Sequence, residues 1–525
     1  MQYQIKKEHL IILLFLVGVI VLSSNIWGSS IYILDEAKNS VCAREMLDRG
    51  DLIVPTFNYE LRTDKPPLHY FFMMISYSLF GVNEFSARFF SFIAGFWVLI
   101  ITFFYTKKFA GFWTSFWATL ALISSLHFVL EFHLAVPDPY LIFFISLSLF
   151  SFYDYYKNDK FLQLIIFYFS LALGVLTKGP VALGLPGLII VSFLFFKRDF
   201  RWNTIWRFKP LIGLLLFFAI TLPWYILVGI KTNGEWLNEF FFQHNLNRFS
   251  DAMEGHGGYF FIPFLYVAVG MLPFSVFFLR AFQKVWNHRK ENEFGLLCLI
   301  VVMVFVIFFS FSSTKLPNYT MPSYPFLAVI LGVYLSNVRE KKLNIYFLIS
   351  IFLGLLIVIG AFIALYIEKE LNPLKFYTLL FLVIPVAAII GFYFSRKKEN
   401  IKALSSLSVG WILASLLFFY VIFPKIDSKN PVSEARKLID RFDKVAYFGN
   451  YNPAFSFYVK KEIPQLRTPE DVINFFQKHQ NAIVISTTKY ENQLQILCTA
   501  KEIVRTKDLF ETPTTLVYTN KKTND

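Results

Sequence analysis

Ile33-Leu34-Asp35-Glu36-Ala37-Lys38, then Arg44-Glu45-Met46-Leu47-Asp48-Arg49-Gly50-Asp51, then Arg62-Thr63-Asp64-Lys65-Pro66-Pro67-Leu68-His69-Tyr70: these three pieces belong to one stretch, residues 33–70. It is charged and broken by Pro and Gly. It follows one apolar run and precedes a long series of others. Acids and bases held between membrane spans are costly unless something uses them. The stretch is therefore read as one wall of an active site at a membrane surface, completed by the other charged loops on that side.

The apolar runs set the class. The chain has 525 residues, 56% of them hydrophobic and 19% aromatic, with a mean hydropathy of +0.52. A soluble domain is nearer about 45–50% apolar. The excess lies in runs of roughly 18–24 residues, the length that crosses about 30 Å of hydrocarbon. Starting from 9–27, spans are expected near 85–106, 110–130, 137–153, 161–177, 179–196, 209–230, 258–280, 294–312, 319–337, 344–367, 373–395 and 402–424. That makes about thirteen. The first is taken as an uncleaved span, although Ser29 and Ser30 would also suit a signal-peptide cleavage site. Leu68–Phe80 is too short to cross and is read as an interfacial helix.

The net charge of +14 does not require nucleic acid. With the N-terminus inside, the cytoplasmic pieces hold roughly 22 basic residues and the short outside loops about six, the asymmetry that orients membrane proteins. An odd span count places the C-terminal tail outside. The expected organisation is a transmembrane domain over 1–424, with a first outside loop over 29–84, and a soluble domain over 425–525. In the tail, short apolar runs at 445–448 and 482–486 alternate with amphipathic patterns at 432–441 and 469–478, which reads as a small α/β domain. The three cysteines, Cys42, Cys298 and Cys498, have no metal spacing; a bridge between Cys42 and Cys498 is the one pairing that the topology permits.

The outside loops carry the chemistry. Beyond Asp35, Glu36, Lys38, Asp64 and Lys65 they present Glu131, His133 and Asp138; Thr177-Lys178-Gly179-Pro180; His244-Asn245 with Arg248-Phe249; Glu254 and His256; and Lys315-Leu316-Pro317 with Tyr319. Lys and Arg gathered from separate loops suit a phosphate or pyrophosphate. Carboxylates beside them suit a proton acceptor, sugar hydroxyls or a divalent cation. Structural readings stand next to these. Asp138 between two prolines suits a helix cap, and Lys178 suits snorkelling. His244 and Arg248 are helix neighbours. His133 and His256 are read as hydrogen-bonded structural histidines.

Taken in order, Asp35-Glu36, Arg44-Glu45-Met46-Leu47, Lys65-Pro66-Pro67, Asp138, Thr177-Lys178-Gly179, His244-Asn245 with Arg248, and Lys315-Leu316-Pro317 with Tyr319 resemble the polyprenyl-phosphate-dependent membrane glycosyltransferases of the GT-C type. The similarity is greatest to the lipid A aminoarabinose transferases and their protein O-mannosyltransferase-like relatives. It covers about residues 30–335. The resemblance implies an α-helical polytopic fold with an extracytoplasmic α/β domain, in a bacterial inner membrane with the N-terminus cytoplasmic. It implies an inverting transfer of aminoarabinose or a related pentose or hexose from undecaprenyl phosphate to an acceptor such as lipid A, a protein or a glycan. Asp35, with Glu36 and Asp138, stands at the catalytic carboxylate positions. Lys65, Arg248 and Tyr319, with Lys178, Lys38 and Lys315, stand at lipid-phosphate positions. Asp64 and His244 stand at a metal position for Zn, Mg or Mn, where Asp64 replaces the family's usual Glu. Lys38 stands where close relatives tend to carry Arg. A flippase of lipid-linked sugars is the alternative outside transfer chemistry; it would be expected to bury charges at the bilayer midplane and to show repeat symmetry.

Overall fold

The charged stretch folds because its punctuation falls at element ends. In a computed structural model, which describes residues 6–247, 257–336, 342–439, 441–494, 500–509 and 512–520, helix α1 (Lys7–Leu22) leads into α2 (Leu34–Arg49). Asp35 and Glu36 occupy the first turn of α2, where carboxylates oppose the positive end of the helix dipole. Gly50 ends α2 in the left-handed region at φ 63°, and Asp51 N–H closes the turn onto Met46 O at 3.0 Å. A short hairpin, β1 (Thr56–Phe57) and β2 (Glu60–Leu61), follows. Pro66 and Pro67 then precede α3 (Leu68–Phe80), whose thirteen residues pack against α2 and the next helix.

All thirteen apolar runs are helical through most of their length. Helix α4 (Glu84–Ala110) starts from a reciprocal cap, Ser86 N–H to Asn83 Oδ1 at 2.9 Å and Asn83 N–H to Ser86 Oγ at 3.0 Å. It is followed by α5 (Phe112–Ile123), α6 (Leu126–Glu131), α7 (Asp138–Asn158), α8 (Phe161–Lys178) and α9 (Val181–Phe196). The number of spans differs from the expectation. Among the described residues, seven helices are long and apolar enough to cross a membrane, or eight with one bent pair counted as a span. Helices such as α5 and α9 are too short for that measure. The run at 258–280 departs most. Ile262–Gly270 and Phe274–Asn287 meet at 114° around Pro273, which has no N–H to continue the ladder. The faces left exposed on Pro210–Lys231 and Asn344–Ile367 are apolar, as lipid contact requires.

The last apolar helix runs on to Asp427, so the tail begins slightly later than expected. It forms a five-stranded mixed sheet. Strand β3 (Lys444–Phe448) is parallel to both β4 (Gln465–Leu466) and β5 (Ala482–Thr487). Antiparallel β7 (Thr514–Thr519) lies on β5, and β6 (Lys501–Lys507) lies outside it. Strands β3 and β5 and helix Pro469–Lys478 fall where the patterns place them; β6 and β7 are additions.

This domain docks on the first loop. Arg44 donates to Ser456 O at 2.7 Å, and Asn58 and Ile463 exchange two hydrogen bonds at 3.0 and 2.9 Å. Ser30 N–H and Oγ donate to the two Asp427 oxygens. Residues 29–84 and the C-terminal domain therefore lie on the same side of the bundle.

Candidate active site

The helical bundle brings five distant pieces of chain to one hollow. A cavity of about 610 Å³ is lined by Asp64 and Lys65 from the first loop, Asp138 at the start of α7, Lys178 at the end of α8, His244, and Tyr319. Most of the remaining wall is apolar: Leu185 and Leu188 of α9 with Phe305, Phe308 and Phe309 are among its residues. The cavity thus combines charged groups with a hydrocarbon lining.

Lys178 is fixed by the chain around it. Gly179 stops α8 at φ 82°, and a Cβ there would run into the Phe240 ring; only glycine supplies that turn without strain. Lys178 Nζ then reaches Asp138 Oδ1 at 2.5 Å and lies 5.2 Å from the centre of the Tyr319 ring. Snorkelling is therefore not its role. Asp138 is the first residue of α7, after Pro137, and its side chain is paired with Lys178.

The second cluster grows from the hairpin. Arg62 is 5% exposed and donates from Nε to Asp64 Oδ2 at 3.2 Å. His244 Nε2 lies 3.2 Å from Asp64 Oδ1 and 3.1 Å from Thr63 Oγ1, which in turn donates to Glu239 Oε2 at 2.7 Å. His244 sits in a π-helical turn, Glu239–Asn247, an irregularity that proteins often keep at functional sites. Burial works to raise the Asp64 carboxyl, but Arg62, Lys65 and His244 together hold it below its ordinary 3.8. As metal ligands, Asp64 and His244 offer two donors. Among the described residues no group of three or more His, Cys, Asp or Glu side chains gathers as a metal site would, and zinc takes three or four protein ligands.

The other expected residues fall apart from the hollow in instructive ways. Asp35 is exposed on α2 and does not line the cavity, yet its charge is felt by Arg62 and by Glu131. Lys38 does not line it either, but acts on Asp64. Glu36 corrects its assignment as a catalytic acid. Both its oxygens are held by Arg88, at 2.7 and 2.9 Å, and Oε1 also accepts Ala135 N–H at 3.0 Å. A buried carboxylate that accepts three hydrogen bonds from the protein is committed to holding the fold rather than to substrate. Lys315 also leaves the phosphate set: it is buried outside the cavity lining, and its Nζ donates to Ser312 O at 2.5 Å. Arg248 and His256, like Cys498, lie outside the described residues. Cys42 and Cys298 are buried thiols. His133 is structural as expected, bonded to Val129 O and Ser24 O at 2.7 and 2.8 Å.

Sequence reasoning missed Arg88, Arg62 and the phenylalanine wall. Arg88 had a signal, being an arginine just inside an apolar run, where an unpaired charge is not tolerated. Phe305, Phe308 and Phe309 share a face at helical spacing, but that spacing alone does not separate a groove from ordinary packing.

Comparison with known proteins places this architecture. The crystal structure of ArnT from Cupriavidus metallidurans bound to undecaprenyl phosphate superposes over 97% of both chains, with a TM-score of 0.81 and 18% identity. The fold is thus GT-C, a polytopic helical bundle whose outside loops meet a small sheet. By sequence, residues 30–237 match the family model for dolichyl-phosphate-mannose-protein mannosyltransferase. An uncharacterised protein of Aquifex aeolicus is 31% identical over 350 residues, covering 66% of this chain and 77% of that one. The undecaprenyl phosphate-alpha-4-amino-4-deoxy-L-arabinose arabinosyl transferase of Photorhabdus laumondii is 30% identical over 346 residues, 62% of this chain and 60% of its own length. The chain thus spans about 60% of the arabinosyl transferase it matches. The chain is thus a membrane glycosyltransferase of GT-C fold, with its match to the mannosyltransferase family over residues 30–237.

Proposed function

We propose that this chain transfers a sugar, aminoarabinose or a related pentose or hexose, from undecaprenyl phosphate to an envelope acceptor such as lipid A at the periplasmic face of the inner membrane. The observation that carries this reading is a single cavity lined both by Lys65, Lys178 and Tyr319 and by Leu185, Leu188 and the phenylalanines. A polyprenyl phosphate likewise joins an anionic head to a hydrocarbon tail. The arabinosyl transferases and the undecaprenyl phosphate complex among the related proteins support it, as does a charge asymmetry of the kind expected for a cytoplasmic N-terminus and a periplasmic sheet domain.

In this reading the acceptor oxygen attacks the anomeric carbon in line, the bond from that carbon to the phosphate oxygen breaks, and the configuration inverts. The departing electron pair stays on the lipid phosphate. Lys65, Lys178 and the Tyr319 hydroxyl offset the charge that develops there, with Arg248 assigned beside them by resemblance. Asp35 takes the proton if the acceptor is a hydroxyl; if the acceptor is a phosphate, already ionised, Asp35 orients it. Asp64 and His244 offer two donors to a divalent ion, fewer than a protein-built site needs, so no step is routed through a metal.

The mannosyltransferase family match favours a second reading, hexosyl transfer to protein or polymer by the same site. Purified protein in detergent, offered radiolabelled undecaprenyl-phosphate sugars with lipid A and with peptides, separates the two by product. Labelled lipid A supports the first reading and labelled peptide the second. Movement of intact lipid-linked sugar across vesicles with no product would leave only a flippase.

A further inference from the structure

Glu131 has no part in the site as described, yet it is buried beside it. It ends α6, on the short connection to α7 that also delivers Asp138. The residue is 5% exposed, and its Oε1 is buried with no hydrogen-bond partner among the described residues. The charged groups that face it are Asp138 at the start of α7, Lys178 at the end of α8 and Asp35 on α2. Tyr324, from Tyr324–Leu335, also feels it, and His127, on α6 itself, is bonded to the Tyr324 hydroxyl at 2.9 Å. Glu131 is therefore an acid near two other acids and one cation, and that cation is already bound to Asp138 at 2.5 Å.

A charged carboxylate with an unpaired buried oxygen is among the most costly groups a protein can hold; the usual escape is to keep the proton. We propose that Glu131 is a positioning residue: resting as a neutral acid near the Asp138–Lys178 pair, it keeps a third negative charge away from the cavity and so leaves the positive charge of Lys178 undiminished for the lipid phosphate. This rests on the proposed polyprenyl-phosphate donor. Burial, then the charges of Asp138 and Asp35, push the Glu131 carboxyl up to about 8, against the pull of Lys178. The sign follows. A raised acid is neutral below that value and charged above it, so rising pH adds a negative charge beside an anion-binding site and weakens the anion.

The window is clean. Phosphate has lost its second proton by about pH 7, and lysines hold theirs until about pH 10. The test is binding of undecaprenyl phosphate itself to the purified full chain at about pH 7 and about pH 9. Wild type is expected to bind about tenfold more weakly at the higher pH, the size of one added charge acting at moderate distance in a partly buried site. Glu131→Gln, which carries the hydrogen-bonding shape without the titration, is expected to bind like wild type at the lower pH and to show no fall. A wild-type profile with no fall overturns the proposal, whatever the variant does. An equal fall in both overturns it too, since some other group then titrates. If Glu131→Gln does not fold, Glu131→Leu also lacks the proton and must give the flat profile; a fall there refutes the role. No binding by wild type at either pH sinks the donor reading, and this inference with it.

Discussion

Two acid–base pairs stand among the charges between the apolar runs, Glu36 with Arg88 and Asp138 with Lys178, and they have opposite fates. Glu36 and Arg88 are both buried, and the guanidinium also donates to Ile26 O, Ser29 O and Ser30 O at 2.9–3.2 Å. All five N–H donors of Arg88 are used, and Glu36 accepts three hydrogen bonds. Asp138 and Lys178 make a single contact, and both line an open cavity. The ingredients are alike. Saturation makes the first pair a brace for the wall, and its absence leaves the second able to exchange partners with a ligand.

The comparison breaks most easily at Arg88. Arg88→Met strands a buried carboxylate and should cost about 3–5 kcal/mol, read as a large fall in thermal midpoint or failure to accumulate in the membrane. Lys178→Met leaves Asp138 with a single pairing lost beside an open cavity, and should lower the midpoint less than Arg88→Met does while weakening undecaprenyl phosphate binding. If both variants merely unfold, the distinction between brace and site is wrong. Next in size is Asp35→Asn, with unchanged insertion and donor binding, and transfer reduced by about 10²–10⁴-fold as for loss of a general base. Turnover near wild type would remove Asp35 from the mechanism. Lys65→Ala follows, weakening donor affinity by about tenfold or more through loss of a charge-assisted contact; an unaltered affinity contradicts its phosphate role.

The smallest effect concerns acid stability. Asp64 has a folded-state value below its ordinary 3.8. Its contribution is therefore complete above that ordinary value and is lost as pH falls through the lower one. Asp64→Asn should lower the thermal midpoint somewhat near neutrality, where that contribution is complete, and flatten the decline on the acid side, so that variant and wild type converge at low pH. A decline as steep as that of wild type would show that the Arg62–Asp64–His244 cluster does not hold this carboxylate as the geometry implies.

Much of this was legible in the residues. Asp64, Lys65, Asp138, Lys178, His244 and Tyr319 stand out as charged or polar residues in loops between apolar runs, and all six line the one cavity. Glu36 was misassigned because adjacency to Asp35 says nothing about facing. Successive residues on a helix lie about 100° apart, so Asp35 is exposed while Glu36 turns inward to Arg88. Lys315 was misassigned because nothing in the sequence shows whether a lysine points to a backbone carbonyl or to a ligand.

The sequence by itself determined that the chain crosses a membrane many times, which loops share a side, and which charges stand on that side. Hydropathy and charge bias act locally or additively along the chain, so they can be read without coordinates. Only the tertiary structure decided which charges are spent on each other. That depends on who lies within about 3 Å in space, and the partners here, Glu36 with Arg88 and Asp138 with Lys178, are set by how the helices pack rather than by their order in the chain.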